Sequence, residues 1–224
     1  MATDLRSGGA RRGRPRGTSA RDLEVISLRL FSEHGFEDTT VERIAAAAGV
    51  SRRTFFRYFD SKADVLWHAF DGEVASLRAA FAEVPPDVPV MAAIRQVVVG
   101  VNRYRAEDVP ELRTRMNLIG SVPALQSSAA VHYDDWERAV SEFVGARTGH
   151  PPWSLYPLVV GRSTLAACRA AYDRWSARAD GDLTVYLDAA LAALASGFTS
   201  SGMAFPEERL DAAARPVAPR PQTG

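Results

Sequence analysis

The chain has 224 residues, 46% of them hydrophobic, and its 27 basic side chains balance 27 acidic ones; that is enough apolar material for one globular domain or two small ones. The single cysteine, Cys168, excludes an internal disulfide and a thiolate cluster. No apolar run reaches the roughly 18 residues that a membrane-spanning helix needs, and the basic N-terminus has no apolar stretch behind it to make a secretory signal, so a cytoplasmic protein with no membrane partner is expected.

The charge is unevenly placed. Residues 1–60 carry 11 Arg against 8 acids, whereas residues 61–224 carry 16 basic and 19 acidic groups. The first 21 residues alone hold six Arg and one Asp. A basic end on a neutral chain points to a polyanionic partner at that end.

Residues 1–18 are rich in Gly, Arg, Ser and Thr and have too few apolar side chains to order themselves, which predicts a disordered arm. Helix signals begin at Thr18 or Ser19, and Leu23, Ile26, Leu30 and Phe31 form one stripe until Gly35 stops it. Thr39 or Thr40 caps a second, short helix with Val41, Ile44, Ala45 and Ala48 inward. Gly49-Val50-Ser51 makes a sharp turn, and Ser51 caps a third helix from Arg52 to about Phe59. Ser61 then caps a long fourth helix with the stripe Leu66, Phe70, Val74, Leu77 and Phe81, ended by Pro85, Pro86 and Pro89. Further helices are expected at about 89–107, 110–119, 122–148, 153–178 and 183–200, each bounded by Pro or Gly, and no segment alternates as a strand does. From residue 204 the chain turns to Pro, Ala and Arg and reads as a disordered tail.

Two short helices joined by a three-residue, Gly-containing turn form a helix-turn-helix, and the second helix of such a pair enters the DNA major groove by its N-terminal residues. Here those residues are Ser51, Arg52, Arg53 and Thr54. Arg donates in a bidentate way to guanine O6 and N7, which gives sequence readout. Thr40, Arg57, Tyr58 and Lys62 flank the groove and are candidates for phosphate contacts, which set register. The bland alternative is a solvated face on an ordinary helical bundle. In the leader, Arg14-Pro15-Arg16 is suited to an extended path in a narrow A·T-rich minor groove; a solubilising tail is the other reading.

The segment from about Leu23 to Leu66 resembles the DNA-binding head of the TetR family of regulators. The signs are Leu30-Phe31, His34-Gly35-Phe36, Thr39-Thr40-Val41, Ile44-Ala45, Ala48-Gly49-Val50-Ser51, Thr54-Phe55, Tyr58-Phe59, and Ser61-Lys62 with Leu66. The resemblance implies an all-helical, homodimeric, ligand-responsive repressor. Phe56 stands where the family commonly has a Tyr whose hydroxyl reaches a phosphate, so Arg57 and Tyr58 are expected to carry more of the anchoring. The stretch from Ser51 to Phe59, with the Arg-rich leader, is most similar to the regulators of mycofactocin gene clusters, a type linked to acyl-CoA sensing.

The expected organisation is an Arg-rich arm (1–18), a helix-turn-helix domain (19–64), an all-helical ligand-binding and dimerisation domain (65–203) and a tail (204–224). In the body, Trp67, Phe70, Tyr104, Met116, Asn117, Trp136 and Phe143 are candidates to line an apolar ligand cavity; simple core packing is the competing reading. Arg103, Arg105, Arg113 and Arg115 are candidates to hold phosphates of a long-chain acyl-CoA effector, against a solvated surface for each alone. Leu165, Cys168, Arg169 and Tyr172 on one Ala-rich helix, with Leu187, Leu191 and Leu194 on the next, are expected at a four-helix dimer interface, against packing within one chain.

No catalytic residue, metal site or cofactor is expected. The four histidines show no ligand pairing, and neither a Gly-rich phosphate loop nor a nucleophile elbow occurs. The expected partners are therefore double-stranded operator DNA, a second copy of the chain and a small-molecule effector, with a ligand-independent architectural DNA binder as the alternative.

Overall fold

A computed structural model describes residues 18–178 and 181–197. Nine helices occur among them: α1 (Ala20–His34), α2 (Val41–Ala47), α3 (Arg52–Phe56), α4 (Asp64–Ala82), α5 (Val90–Val101), α6 (Val109–Ser121), α7 (Pro123–Thr148), α8 (Leu155–Arg178) and α9 (Leu183–Ala195). No strand occurs among the described residues.

Local chemistry sets the starts and stops. Ser19 and Asp22 form a reciprocal capping box on α1, the Ser19 Oγ accepting from the Asp22 N–H at 3.1 Å and the Ser19 N–H donating to Asp22 Oδ2 at 2.9 Å. Thr40 caps α2 by accepting from the Arg43 N–H, and Ser51 caps α3 by accepting from the Thr54 N–H. Between them, Gly49 at φ 67° lets the Val50 and Gly49 N–H groups turn back onto the carbonyls of Ala45 and Ala46. A second reciprocal pair, Ser61 with Asp64, leads into α4.

Three ends depart from the sequence reading. α3 stops at Phe56 rather than about Phe59. α5 stops at Val101 rather than near 107, because the Asn102 side-chain amide donates back to the Val98 carbonyl and residues 102–108 turn instead. α9 ends at Ala195, and the expected continuation to 200 enters residues outside those described. Residues 1–17 of the arm and the whole tail also lie outside them.

The head core is built from Leu23, Phe31, Ile44, Phe55 and Phe59 of α1–α3 and the chain just after α3, and is closed by Val65 and Leu66 of α4 and Leu125 of α7. A boundary after residue 64 therefore runs through a shared core: α4 begins inside the head and continues into the body. The body core lies among α4, α5, α7, α8 and α9, around Leu77, Ile94, Val140, Val144, Trp175, Leu187 and Leu191. α7 and α8 approach closely where Gly161 faces Ser141; a Cβ at Gly161 would meet the Ser141 Oγ at 2.5 Å and the Glu137 carbonyl at 2.9 Å. Arg147 of α7 donates to the carbonyls of Val84, Pro85, Pro86 and Val88, and so fixes the Pro-rich turn between α4 and α5.

Candidate nucleic-acid interface and ligand cavity

α2 and α3 present one exposed polar face, and its cations are not equivalent. Arg53 is exposed, and no side chain among the described residues pairs with it. Arg52 is also exposed but pairs with Glu42 at 3.0 Å and lies over the Phe56 ring. Such an exposed pair contributes roughly 0–1 kcal/mol, so a base edge or phosphate displaces it at little cost. Thr40 and Ser51 spend an oxygen lone pair on their caps.

Three expected phosphate contacts are altered by their surroundings. The Arg57 guanidinium lies over the Tyr58 ring and donates to the Tyr58 hydroxyl at 3.1 Å. That hydroxyl donates in turn to the Thr18 carbonyl at 2.7 Å, so Tyr58 ties the start of α1 to the end of α3. Lys62 is a correction. Its Nζ donates to the carbonyls of Phe36, Glu37 and Thr39 at 2.6, 3.2 and 3.1 Å and lies 4.3 Å from the Phe36 ring centroid. All three N–H bonds are spent inside the protein, where they satisfy the carbonyls of the α1–α2 loop. Arg14 and Arg16 lie outside the described residues.

In the body, a cavity of about 60 Å³ lies among α4, α6, α7 and α8. Trp67, Phe70, Met116 and Trp136 line it, as expected from sequence, together with Tyr133. Trp67 stands edge-on to both Phe70 and Tyr133, so the wall is largely aromatic. Three other expected lining residues fall elsewhere. Asn117 is exposed on the far side of α6. Phe143 stacks on Phe81 in the body core at 4.3 Å between ring centroids. Tyr104 faces a neighbouring cavity of about 240 Å³.

The expected dimer residues also move inward. Leu165, Cys168, Arg169 and Tyr172 line the first cavity, Leu187 and Leu191 are fully buried in the core of the single chain, and Leu194 is half-buried on α9. The helical period there is the expected one but the face is the opposite one, because Ala outside and Leu inside give the same spacing as the reverse. Burial pushes the Cys168 thiol up to about 12, so it is a neutral wall of the cavity.

Polar groups gather at one end. Tyr104 donates to Glu73 at 2.5 Å and Tyr172 donates to Asn102 at 2.5 Å. Burial raises the Glu73 carboxyl above its ordinary value and raises both phenols well above theirs. Beside them sits Arg115 of α6, 5% exposed, whose guanidinium donates to Glu24 of α1, itself 1% exposed, and to Glu111 at 3.1 Å. Arg21 closes the circuit, reaching Glu111 at 2.5 and 2.8 Å and Glu24 at 3.1 Å. The circuit is neutral, two cations against two anions, and it joins head to body. Arg21 is half exposed, so its pairs contribute roughly 0–1 kcal/mol, whereas removing one partner of a buried pair such as Arg115–Glu24 costs about 3–5 kcal/mol. The Arg115 Nε–H has no acceptor and is shut from solvent, a deficit of about 1–3 kcal/mol.

Neither Glu24 nor Glu73 was singled out in the sequence. The signal for Glu24 was an acid inside an apolar stripe, flanked by Leu23, Ser27 and Leu28. The other arginines expected to hold phosphate differ from Arg115: Arg105 pairs with Glu107 on the surface, Arg113 lies over the Trp175 ring, and Arg103 is exposed.

Comparison with known proteins agrees with this division. Residues 27–68 match the family of bacterial regulatory proteins named for TetR, and residues 88–199 match the MftR C-terminal domain. MftR of Mycobacterium tuberculosis, a protein assigned to regulation of mycofactocin biosynthesis, is 30% identical over 188 residues, 84% of this chain and 95% of that protein. Among solved structures, the fatty acid degradation regulator FadR of Bacillus halodurans superposes with a TM-score of 0.60 at 18% identity, covering 80% of this chain and 99% of that one. FadR of Thermus thermophilus, solved with lauroyl-CoA, superposes with a TM-score of 0.55 at 21% identity, covering 81% and 95%. At those identities the likeness is one of fold.

A helix-turn-helix head on a larger helical body, matched in both parts, makes this chain a DNA-binding transcriptional regulator of the TetR family. Its C-terminal domain is of the MftR type. The family and these relatives are regulators and not enzymes.

Two outcomes test the site. Lys62→Met should lower stability by about 1–3 kcal/mol in denaturant melts, because three charge-assisted bonds are lost. It should leave the salt dependence of operator binding unchanged, whereas loss of a phosphate contact would flatten the log–log slope by about 0.9. Glu73→Gln keeps an acceptor for Tyr104 and removes a carboxyl whose ionisation burial disfavours. A raised folded-state value means that native stability falls as pH rises from the unfolded-state value through the folded one. Thermal melts should therefore show a gain for Glu73→Gln that grows as pH rises above the ordinary carboxylate range and fades below it.

Proposed function

We propose that the chain is a homodimeric repressor, acting in the cytoplasm, that an acyl-CoA releases from its operator. The observation that carries this reading is the position of the cavity. Its wall includes Leu66, which is also head core, and Arg115, which also holds Glu24 of α1. Any ligand that moves α4 or α6 therefore acts on the head.

The cavity's size supports a moving wall. At about 60 Å³ it is far below the roughly 300 Å³ at which small-molecule sites begin, so an acyl chain enters only by spreading the helices. Leu112, Arg115, Met116 and Ile119 recur at three- and four-residue steps on the cavity side of α6. An α6 pushed outward takes Arg115 with it, and the buried ion pair then draws Glu24 and α1. The acyl-CoA assignment is supported by the MftR-type domain and by the fold shared with a regulator solved with lauroyl-CoA. The reading assigns the phosphates to Arg169, exposed over the Tyr133 ring, and to Arg113, which lies over the Trp175 ring near the second cavity.

The dimer surface we assign is the outer face of α8 and α9. There Leu155, Tyr156, Val159 and Val185 are exposed, and Ala166 and Ala170 continue the α8 face with small side chains that permit close approach. A two-fold dimer doubles the readout of one short recognition helix.

The test is a titration of the full chain on its own upstream DNA, with its mass in solution measured alongside. The reading expects a species of twice the chain mass, site-selective binding, and an affinity loss of about 5–150-fold on saturation with lauroyl-CoA. Selective binding that no acyl-CoA alters would refute the effector assignment, and unselective binding with a steep salt dependence would replace the regulator by an architectural binder.

A further inference from the structure

The face that meets DNA carries two residues of unsuitable type. Glu42, in the first turn of α2, is an exposed acid, and a carboxylate repels phosphate. Phe56, at the end of α3, is an apolar ring left 40% exposed. Both touch one side chain. Glu42 Oε1 pairs with Arg52 Nη1 at 3.0 Å, and the Arg52 guanidinium carbon lies 5.3 Å from the Phe56 ring centroid. Arg52 and Phe56 are four residues apart on one helix, which brings them to the same side. The Phe56 ring is itself braced edge-on, 5.5 Å between centroids, by the fully buried Phe55. Arg52 is therefore held from two directions. Arg53, its neighbour in sequence, is exposed and pairs with no side chain among the described residues.

We propose that Arg52 is the guanine-reading residue of the recognition helix, positioned by Glu42 and Phe56, and that Arg53 holds a phosphate. Glu42 meets Arg52 through Nη1 alone, and no group among the described residues bonds the Nε–Nη2 edge. That edge presents two parallel N–H donors, the pattern that guanine O6 and N7 accept. A guanine takes the edge while Glu42 stays in place. A phosphate is at a disadvantage there, because Glu42 repels its charge and already offsets the charge of Arg52. The exposed pair is weak, but weakness is enough when its role is to favour one partner over another. Holding the guanidinium also lowers the rotamer entropy that contact with a base would cost. Arg53 keeps its whole charge and has no fixed plane, which suits the phosphate backbone. The proposal goes beyond the effector reading and does not depend on it.

The probes are the duplex that the full chain selects from a randomised pool, that duplex with each G·C pair replaced in turn by A·T, and a scrambled duplex of equal length. For the native chain, one replacement in each half-site should cost about 5–150-fold in affinity. Arg52→Met should remove that cost and leave the salt slope unchanged. Arg53→Met should weaken the selected and scrambled duplexes alike, flatten the log–log salt slope by about 0.9 for each head bound, and keep the guanine preference. Glu42→Gln should strengthen binding to the scrambled duplex by about two- to fivefold, with little gain on the selected one. Glu42, Arg52 and Arg53 are exposed, and a thermal melt checks that each variant folds. A guanine preference that survives Arg52→Met, or one lost instead in Arg53→Met, overturns the proposal. So does a native chain that selects no sequence. A Glu42→Gln variant that gains equally on both duplexes makes Glu42 a repelling charge only and overturns its positioning role. Should that variant not fold, the two arginine variants decide which residue reads the base, and Phe56→Leu tests positioning in its place: the scrambled duplex should be bound as before and the guanine preference reduced by about two- to fivefold, and an unchanged preference overturns it.

Discussion

The ion pair between Glu24 of α1 and Arg115 of α6 is the constraint on which the arrangement of head and body depends. Both side chains are almost wholly buried, one in each part of the molecule. Breaking such a pair from one side costs about 3–5 kcal/mol, and allosteric coupling is typically worth about 1–3 kcal/mol. In the proposed release a signal of that size would leave the link intact, and α6 and α1 would shift together. The surface bonds of Arg21 steer the pair but are too weak to replace it.

The rest of the structure sets what moves α6. The cavity lies between Leu112, Met116 and Ile119 of α6 and the Trp67 and Phe70 rings of α4, and both helices reach the head core. In the proposed release, the narrow cavity would make binding and movement one event. Lys62 adds to this economy. Its ammonium group ties the loop between α1 and α2 to the start of α4, so α1, α2 and α4 respond as one body to a pull on Glu24. The DNA face is then left to Arg53, Arg52 and Thr40, whose side chains are exposed.

Much of the head was legible in the sequence, because its signals are local. Ser19, Thr40 and Ser51 cap helices within three residues, and Gly49 marks a turn that few other residues make. The body was legible as helices but not as a site. Its helices α8 and α9 are so rich in Ala that periodicity gave the stripes without saying which faced inward, and Leu165, Cys168, Tyr172, Leu187 and Leu191 were assigned to the wrong side. Asn117 and Arg115 lie two residues apart on α6, yet one is exposed and the other buried, a distinction set by tertiary contacts. Lys62 looked like a phosphate ligand because the carbonyls that occupy it come from residues about 25 positions away. Glu24 stands inside the apolar stripe of α1 and Arg115 reads as a candidate phosphate ligand, but pairing them across 91 positions needs the fold.

In the proposed release the buried pair transmits the signal, and reciprocity tests that role most directly. Lauroyl-CoA affinity would be measured with and without saturating operator DNA, in the native chain and in the Glu24→Met, Arg115→Met variant. In the native chain, operator should weaken lauroyl-CoA binding by the same factor by which lauroyl-CoA weakens operator binding. In the variant both ligands should still bind, and that factor should fall towards one. An unchanged factor in a folded variant would contradict the account and move the coupling to α4 alone.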